Sequence, residues 1–296
     1  MPATKPIGII GLGLMGEVYA TRLIAAGRAV VGYDIEPSRG ERLTSIGGRA
    51  MASIADVAKA CDVIIIAVFS TEQVEDVVEN HILPAAAGAS GKIVLATSTA
   101  DPDRIAALGD RVAARIRFLE TPVSGTSEQV RRGDGVGLIG GDRETAAGVD
   151  DVLAILFPRR HHIGRIGDGG RAKLAINLIL GLNRLALAEG LVFAQRVGLD
   201  LAAFLPVARE SAAYSQAMDI KGPRMINGDF NPEGRVRQTL KDVHMMLDQA
   251  KRLGQTLPAL AVNCDVLEAC VRAGEGDLDN SAVINEIRRR TTTERA

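Results

Sequence analysis

The sequence has little cysteine and almost no net charge, and each scarcity excludes a class of protein. Its three cysteines, Cys61, Cys264 and Cys270, have neither metal-ligand nor redox spacing, so we expect reduced, packed thiols. With 35 Lys and Arg against 36 Asp and Glu, the formal net charge is −1, which argues against a nucleic-acid-binding protein. The sequence also lacks a Ser-His-Asp order, a P-loop lysine and a zinc motif, so it predicts no metal site.

The start of the chain bears on whether a signal peptide is expected. The first apolar run, Ile7–Ile10, begins within a few residues of Met1, so we expect no signal peptide. Nothing else suggests membrane insertion, and the predicted location is cytoplasmic. The adjacent His161 and His162 are predicted to lie in a loop, and His244 reads as an ordinary packed or surface histidine.

A glycine-rich motif follows the first apolar run and precedes a helical stretch: Gly11-Leu12-Gly13-Leu14-Met15-Gly16. A second apolar run then ends on Asp34. This is the order of strand, turn, helix, strand and acid that a dinucleotide-binding fold needs. Gly11 permits the tight turn, Gly13 lets the backbone approach a pyrophosphate, and Gly16 lets the helix pack closely. The phosphates would bind the helix N-terminus, and Asp34 would accept hydrogen bonds from the ribose hydroxyls.

Up to about residue 165, short apolar runs alternate with helical patterns. The predicted strands after the first two are 62–68, 92–96, 117–120 and 136–140, and helices are predicted at 71–78 and 101–114. This alternation predicts a mainly parallel, doubly wound α/β sheet. We therefore predict a Rossmann-type dinucleotide-binding domain over residues 1–164.

Beyond residue 165 the strand patterns stop and helical patterns continue to the end of the chain. Residues 170–197 form one long helical pattern, apolar on most faces, whose polar breaks are expected to exclude a bilayer span. Further helices are predicted at about 200–210, 236–253, 258–273 and 280–290. Residues 165–296 are thus predicted to form an all-helical substrate and oligomerisation domain. Because a helix that is apolar nearly all round needs neighbours on several sides, we expect a homodimer or homotetramer.

Together with the glycine motif, four segments resemble the β-hydroxyacid dehydrogenase family, which includes 3-hydroxyisobutyrate dehydrogenase and tartronate semialdehyde reductase. They are Ser98-Thr99 with Pro102, Thr121-Pro122-Val123-Ser124-Gly125, Gly167 to Lys173 with Asn177, and Leu240-Lys241-Asp242-Val243. The resemblance implies a Rossmann domain like that of 6-phosphogluconate dehydrogenase, followed by an all-α domain joined through a long helix. It further implies hydride transfer between a nicotinamide and a short hydroxy acid.

Lys173 and Asn177 are the predicted catalytic pair. They are four residues apart in a helical stretch and so share one face. A lysine at the edge of an apolar pocket can have a lowered pKa and exchange protons usefully. In the family the lysine at this position is the general acid/base, and Asn177 would orient the substrate oxygen. The alternative is a snorkelling lysine with a helix-packing asparagine.

The resemblance also implies residues for the substrate and the cofactor. Ser124 and Gly125 would hold the substrate carboxylate, and Thr126, where relatives have a second glycine, would alter that pocket. Lys241 is predicted to reach both substrate and cofactor. For Tyr214, substrate contact and core packing both stay open. The remaining predicted cofactor contacts lie after two strands of the N-terminal domain: Val68, Ser98 and Thr99.

Cofactor preference is predicted from the end of the second strand. NADP-preferring relatives usually have Asn-Arg there, whereas this sequence has Asp34-Ile35. A carboxylate repels the 2′-phosphate, although Arg39 is near enough to compensate, so we expect NAD over NADP.

These features predict an NAD-dependent dehydrogenase of a small 3-hydroxy acid, or a reductase of the matching semialdehyde. At position 176, relatives often have asparagine whereas this sequence has isoleucine. The substrate pocket is therefore expected to differ, and the sequence does not identify the substrate. The alternatives are an NADP-dependent semialdehyde or imine reductase and a non-catalytic NAD-binding protein. Imine reductases of related fold generally lack Lys173, which argues against that choice.

Overall fold

The computed structural model describes residues 5–85 and 91–291. The chain divides into two compact units, and the division falls between Lys173 and Leu174, inside a long helix. The predicted domain limits, 1–164 and 165–296, stay a prediction.

The described part of the N-terminal unit forms a nine-stranded sheet in the order β3-β2-β1-β4-β5-β6-β8-β7, with β9 beside β8. The strands are β1 Ile7–Ile10, β2 Val30–Tyr33, β3 Arg49–Ala50, β4 Val63–Ile66, β5 Lys92–Ala96, β6 Ile116–Glu120, β7 Val123–Ser124, β8 Val136–Gly140 and β9 Arg159–Gly164. From β3 to β6 all neighbours are parallel, whereas β8 runs antiparallel to β6 and β7. The predicted doubly wound α/β fold is confirmed.

Helices cover both faces of this sheet. They are α1 Leu14–Ala25, α2 Pro37–Ser45, α3 Ile54–Ala60, α4 Thr71–Asp76, a π-helical turn Val77–Ile82, α5 Leu83–Ala85, α6 Pro102–Val112, α7 Ser127–Arg132, α8 Arg143–Ala147 and α9 Asp150–Leu156. Side chains alternate across each strand, so Ile65 packs with α1 and α9 on one face, while Ile64 and Ile66 pack with α3 and α6 on the other. Burial on both faces explains why β4 reads as one continuous apolar run.

One prediction about this unit is wrong. His161 and His162 lie in strand β9, not in a loop, and pair with Leu138 and Ile139 of β8. The strand has no apolar run because its side chains are only exposed or half-buried. Backbone pairing with β8, which sequence periodicity does not report, creates this strand.

The C-terminal unit is helical in its described residues. Helix α10 spans Asp168–Arg196, and then follow α11 Leu201–Glu210, α12 Gln216–Ile220, α13 Gly222–Asn227, α14 Val236–Arg252, α15 Pro258–Arg272, a 3₁₀ turn Asn280–Ala282 and α16 Val283–Arg289. By length and composition α10 could cross a membrane, contrary to the expectation from its polar breaks. Leu187, Ala188 and Leu191 are buried in the core of this unit, whereas Ile179 and Phe193 of the same helix are exposed.

Candidate cofactor and substrate site

The glycine-rich turn between β1 and α1 requires glycine at its first and last positions. Gly11 has a φ of +88°, and a Cβ there would lie 2.6 Å from the Ala67 carbonyl oxygen. A Cβ on Gly16 would lie 1.9 Å from the Gly11 oxygen. Both distances are far below van der Waals contact. The turn and the close approach of α1 to it therefore exclude any larger residue.

Gly13 leaves room for a ligand at the start of α1. It is the N-cap residue and offers no side-chain cap, so the first N–H groups of the helix lack that partner. A Cβ on Gly13 would meet only the Arg39 guanidinium, at 3.6 Å. Of the predicted contacts in this turn, Leu12 is buried, Met15 is half-buried and Leu14 is exposed. An uncapped helix N-terminus with open space beside it fits a pyrophosphate.

The predicted ribose acceptor, Asp34, is bound into the same turn. Its carboxylate accepts the Leu12 N–H at 2.6 Å and the Glu36 N–H at 2.9 Å. Arg39 pairs with it at 3.1 Å, and the Asp34 side chain is 4% exposed against 46% for Arg39. The carboxylate is thus fixed beside the glycine turn and paired with the more exposed Arg39 guanidinium.

The remaining predicted cofactor residues lie beyond β4 and β5. The Ser98 hydroxyl donates to the Val68 carbonyl at 2.7 Å, which joins the two loops, and Thr99 follows in the second of them. Both loops leave the carboxyl edge of parallel strands, where open α/β sheets bind ligands. The structure thus gathers the glycine turn, Asp34, Val68, Ser98 and Thr99 along one sheet edge.

The predicted carboxylate loop follows β7. Ser124 pairs with Val136 of β8, and Gly125 has a φ of +146°. Thr126 is the N-cap of α7: its hydroxyl accepts the Gln129 N–H at 3.2 Å, while its own N–H donates to Gln129 Oε1 at 2.8 Å. The Thr126 N–H and one lone pair of its hydroxyl therefore serve the helix cap, while its O–H can still donate alongside the groups of Ser124 and Gly125.

A buried glutamate that the sequence reading missed lies at the start of α10. Glu120, 2% exposed at the end of β6, accepts the Gly167 N–H at 2.8 Å. Burial raises the pKa of Glu120 to about 7, against the lowering effect of the Gly170 and Gly167 N–H groups. A Cβ on Gly170 would lie 2.4 Å from its carboxylate. The glycines before Lys173 thus make room for an acid at the helix N-terminus.

The predicted catalytic pair lies on α10. Lys173 is 7% exposed, and Asn177 follows one turn later on the same helix. In the C-terminal unit, Asn177 Nδ2 donates to Asp242 Oδ2 at 3.0 Å, and Lys241 Nζ lies 3.2 Å from Asp242 Oδ1. The structure therefore joins Asn177 and Lys241 through Asp242. The motif Leu240-Lys241-Asp242-Val243 contains Asp242, but the sequence alone assigns it no role.

Tyr214 is not a core residue. Its side chain is about half exposed, and its hydroxyl donates to Asp219 Oδ2 at 2.6 Å. Of the two alternatives for this residue, core packing is wrong. A role in substrate binding stays a prediction.

Two family models match nearly the whole chain. The NAD-binding domain of 6-phosphogluconate dehydrogenase matches residues 6–164. A domain described as NAD-binding of NADP-dependent 3-hydroxyisobutyrate dehydrogenase matches residues 167–287. The chain belongs to the β-hydroxyacid dehydrogenase family. It is an NAD(P)-dependent oxidoreductase acting on CH–OH groups of hydroxy acids.

Individual relatives are similar along their full length. L-threonate dehydrogenase of Cupriavidus necator is 33% identical over 283 residues, which cover 95% of each chain. The 2-hydroxy-3-oxopropionate reductase of Escherichia coli is 31% identical, with 95% of this chain and 96% of that protein covered. Among solved structures, Mycobacterium tuberculosis 3-hydroxyisobutyrate dehydrogenase with L-serine superposes with a TM-score of 0.85 at 25% identity, covering 96% of this chain and 99% of that one.

Proposed function

We propose that this β-hydroxyacid dehydrogenase oxidises a small 3-hydroxy acid, or reduces the matching semialdehyde, with NAD as cofactor and Lys173 as general acid/base. The observation that carries the proposal is the buried Lys173 one turn before Asn177 on α10. Relatives named for L-threonate and for 2-hydroxy-3-oxopropionate act on short oxygenated acids. A carboxylate with a hydroxyl or carbonyl group on a nearby carbon is the chemistry these names share.

In the proposed oxidation, the substrate hydroxyl loses its proton to the neutral Lys173 amine as hydride leaves the same carbon. The nicotinamide, when bound, supplies the acceptor for that hydride. In the reductive direction, the Lys173 ammonium returns the proton to the carbonyl oxygen. With Asn177 Nδ2 donating to Asp242, its Oδ1 is the amide group suited to accept from the lysine or from the hydroxyl.

For the substrate carboxylate, we propose the Ser124 hydroxyl and the Gly125 N–H as donors. Thr126 contributes no backbone donor in this proposal, because its N–H is already bonded to Gln129. Lys241 would add a positive charge, held in place by Asp242. Two hydrogen-bond donors and one cation match the two oxygens and the charge of a carboxylate.

The test is the initial rate of NADH formation with L-threonate, glycerate, 3-hydroxyisobutyrate, 3-hydroxypropionate and serine. Because a positioned acid/base contributes about 10²- to 10⁴-fold, we expect Lys173→Ala to lose that factor in kcat on the best substrate. NAD affinity should change little. Lys251→Ala, at an exposed position on α14, is the matched control.

Three outcomes would contradict the proposal. If Lys173→Ala retains most of the wild-type kcat, the lysine is not the acid/base. Reduction of cyclic imines with NADPH, without turnover of hydroxy acids, would favour an imine reductase. Tight NAD binding with no turnover on any substrate would favour a non-catalytic binding protein.

A further inference from the structure

Three side chains with metal-binding chemistry meet on α14 and α15 of the C-terminal unit. His244 lies on α14, and Cys264 and Glu268 lie one turn apart on α15. His244 Nε2 is 3.3 Å from Glu268 Oε1, and Cys264 Sγ is 3.8 Å from the same oxygen. All three donor atoms lie within 4.8 Å of one another. Within residues 5–85 and 91–291, no other group of three His, Cys, Asp or Glu residues is as compact.

These distances are close to the ligand–ligand distances of a tetrahedral zinc site. Bonds of about 2.0–2.1 Å to nitrogen, 2.0–2.2 Å to oxygen and 2.3 Å to sulfur give ligand separations of about 3.4 Å for N–O and 3.6 Å for S–O. The observed 3.3 and 3.8 Å differ from these by about 0.2 Å or less. The third pair, His244 Nε2 and Cys264 Sγ, lies at most 4.8 Å apart. The distance between these two atoms would have to shorten by at most about 1.2 Å to fit the same geometry. A rotamer adjustment of an exposed histidine can supply that movement.

We propose that His244, Cys264 and Glu268 bind a zinc ion, with a fourth position left for water. Imidazole and thiolate ligands favour Zn²⁺ over Mg²⁺ and Ca²⁺, which prefer oxygen. On binding, the Cys264 thiol releases its proton to solvent, and the sulfur, the imidazole nitrogen and one carboxylate oxygen coordinate the ion.

The surroundings of the cluster suit a metal that enters from solvent. Cys264 is 8% exposed, whereas the side chains of His244 and Glu268 are 50% and 43% exposed. The second carboxylate oxygen, Glu268 Oε2, lies 3.8 Å from the Arg272 guanidinium. This ion pair leaves Oε1 directed at the other two donors. The thiolate would be shielded from water while the open side admits the ion and the fourth ligand.

Binding at this cluster would cross-link two helices. α14 also carries Lys241 and Asp242, three and two residues before His244, and Asp242 accepts a hydrogen bond from Asn177. A ligand that binds only the folded state stabilises it in proportion to the logarithm of its concentration above Kd. Zinc is therefore expected to raise the melting temperature of the protein.

The experiment uses tag-free, reduced, chelator-treated full-length protein titrated with Co²⁺ and then with Zn²⁺. We expect one metal per chain, a thiolate-to-cobalt charge-transfer band, visible absorption typical of tetrahedral cobalt, and displacement of cobalt by zinc. Cys264→Ala should abolish the charge-transfer band. His244→Ala and Glu268→Gln should weaken zinc affinity at least about ten-fold, since even outer-shell changes cost that much.

The matched controls are Cys270→Ala, which removes a buried thiol from the same helix, and His81→Ala in the N-terminal unit. Both should keep wild-type metal stoichiometry and affinity. A cobalt spectrum without a thiolate band would overturn the proposal, as would equal zinc binding by wild type and Cys264→Ala. Glu268→Gln changes an accessible side chain and should fold, so unchanged affinity and an unchanged zinc-induced rise in melting temperature there would also refute it.

Discussion

Among single residues, Asp34 has the largest consequence for cofactor choice. Its carboxylate is held by the Leu12 N–H and by Arg39, so it cannot easily turn away from a ligand in the glycine turn. NAD(P) binding follows from family membership, and the proposed preference for NAD rests on this one charge. Arg39 is the nearby cation that could pair with a 2′-phosphate if Asp34 released it.

We predict that Asp34→Ser raises the ratio of kcat/KM for NADP to that for NAD by about ten-fold or more. The substitution removes a like charge from the phosphate, and such juxtapositions cost several kcal/mol; it also frees Arg39. Steady-state kinetics with both cofactors measure the ratio. Asp62→Ser, at an exposed carboxylate paired with Lys5, is the control, and an unchanged ratio in Asp34→Ser would show that Asp34 does not set the preference.

Between elements, the junction of β6 and α10 depends on a buried acid. Glu120 accepts an N–H from the start of the helix that carries Lys173, and it lies among glycines that admit no side chain. Sequence periodicity predicted both elements. It did not predict their link, because a glutamate that ends an apolar strand has no distinctive pattern.

Glu120 should make stability depend on pH. Burial raises its folded-state pKa to about 7 from 4.5, so the folded protein holds this proton more tightly than the unfolded chain. The contribution of Glu120 to the free energy of unfolding is fully present below about pH 4.5 and is lost as pH rises towards 7. At about 1.36 kcal/mol per pKa unit, the effect is about 3 kcal/mol.

Urea unfolding at a series of pH values measures this dependence. We expect the free energy of unfolding of Glu120→Gln, relative to wild type, to rise between about pH 4.5 and 7. Glu144→Gln, an exposed position on α8, should change little. Parallel curves for wild type and Glu120→Gln would show that the buried acid does not titrate in this range.

At the scale of the whole molecule, α10 exposes large apolar side chains. Ile179 is 60% exposed and Phe193 is 69% exposed, which makes them candidate contacts for a second subunit. This supports the proposal that the protein is a homodimer or homotetramer. The cytoplasmic location stays a prediction.

We predict that light scattering at working concentration gives the mass of a dimer or tetramer, and that Phe193→Glu shifts the population towards smaller species. The added charge would be costly to bury in an apolar interface. Leu253→Glu, at an even more exposed position after α14, should not dissociate the assembly. A monodisperse wild-type monomer would refute the prediction.

The sequence by itself determined the local and periodic features. The glycine turn, the apolar strands and the long helix α10 each depend on neighbouring residues, and so they could be predicted together with the family and the reaction class. Strand β9 could not be predicted, because it forms by pairing with the separate strand β8 and its own side chains are mostly polar.

Only the tertiary structure decided which distant side chains meet. Cys264 read as an ordinary packed thiol and His244 as an ordinary histidine, and neither has metal-ligand spacing in the sequence. Cys264 and Glu268 share one face of α15, and the packing of α14 against α15 brings His244 to them, just as folding brings Asp242 to Asn177. Periodicity reports which face of a helix is apolar, whereas the residue that lies opposite on the next helix depends on how the two helices pack.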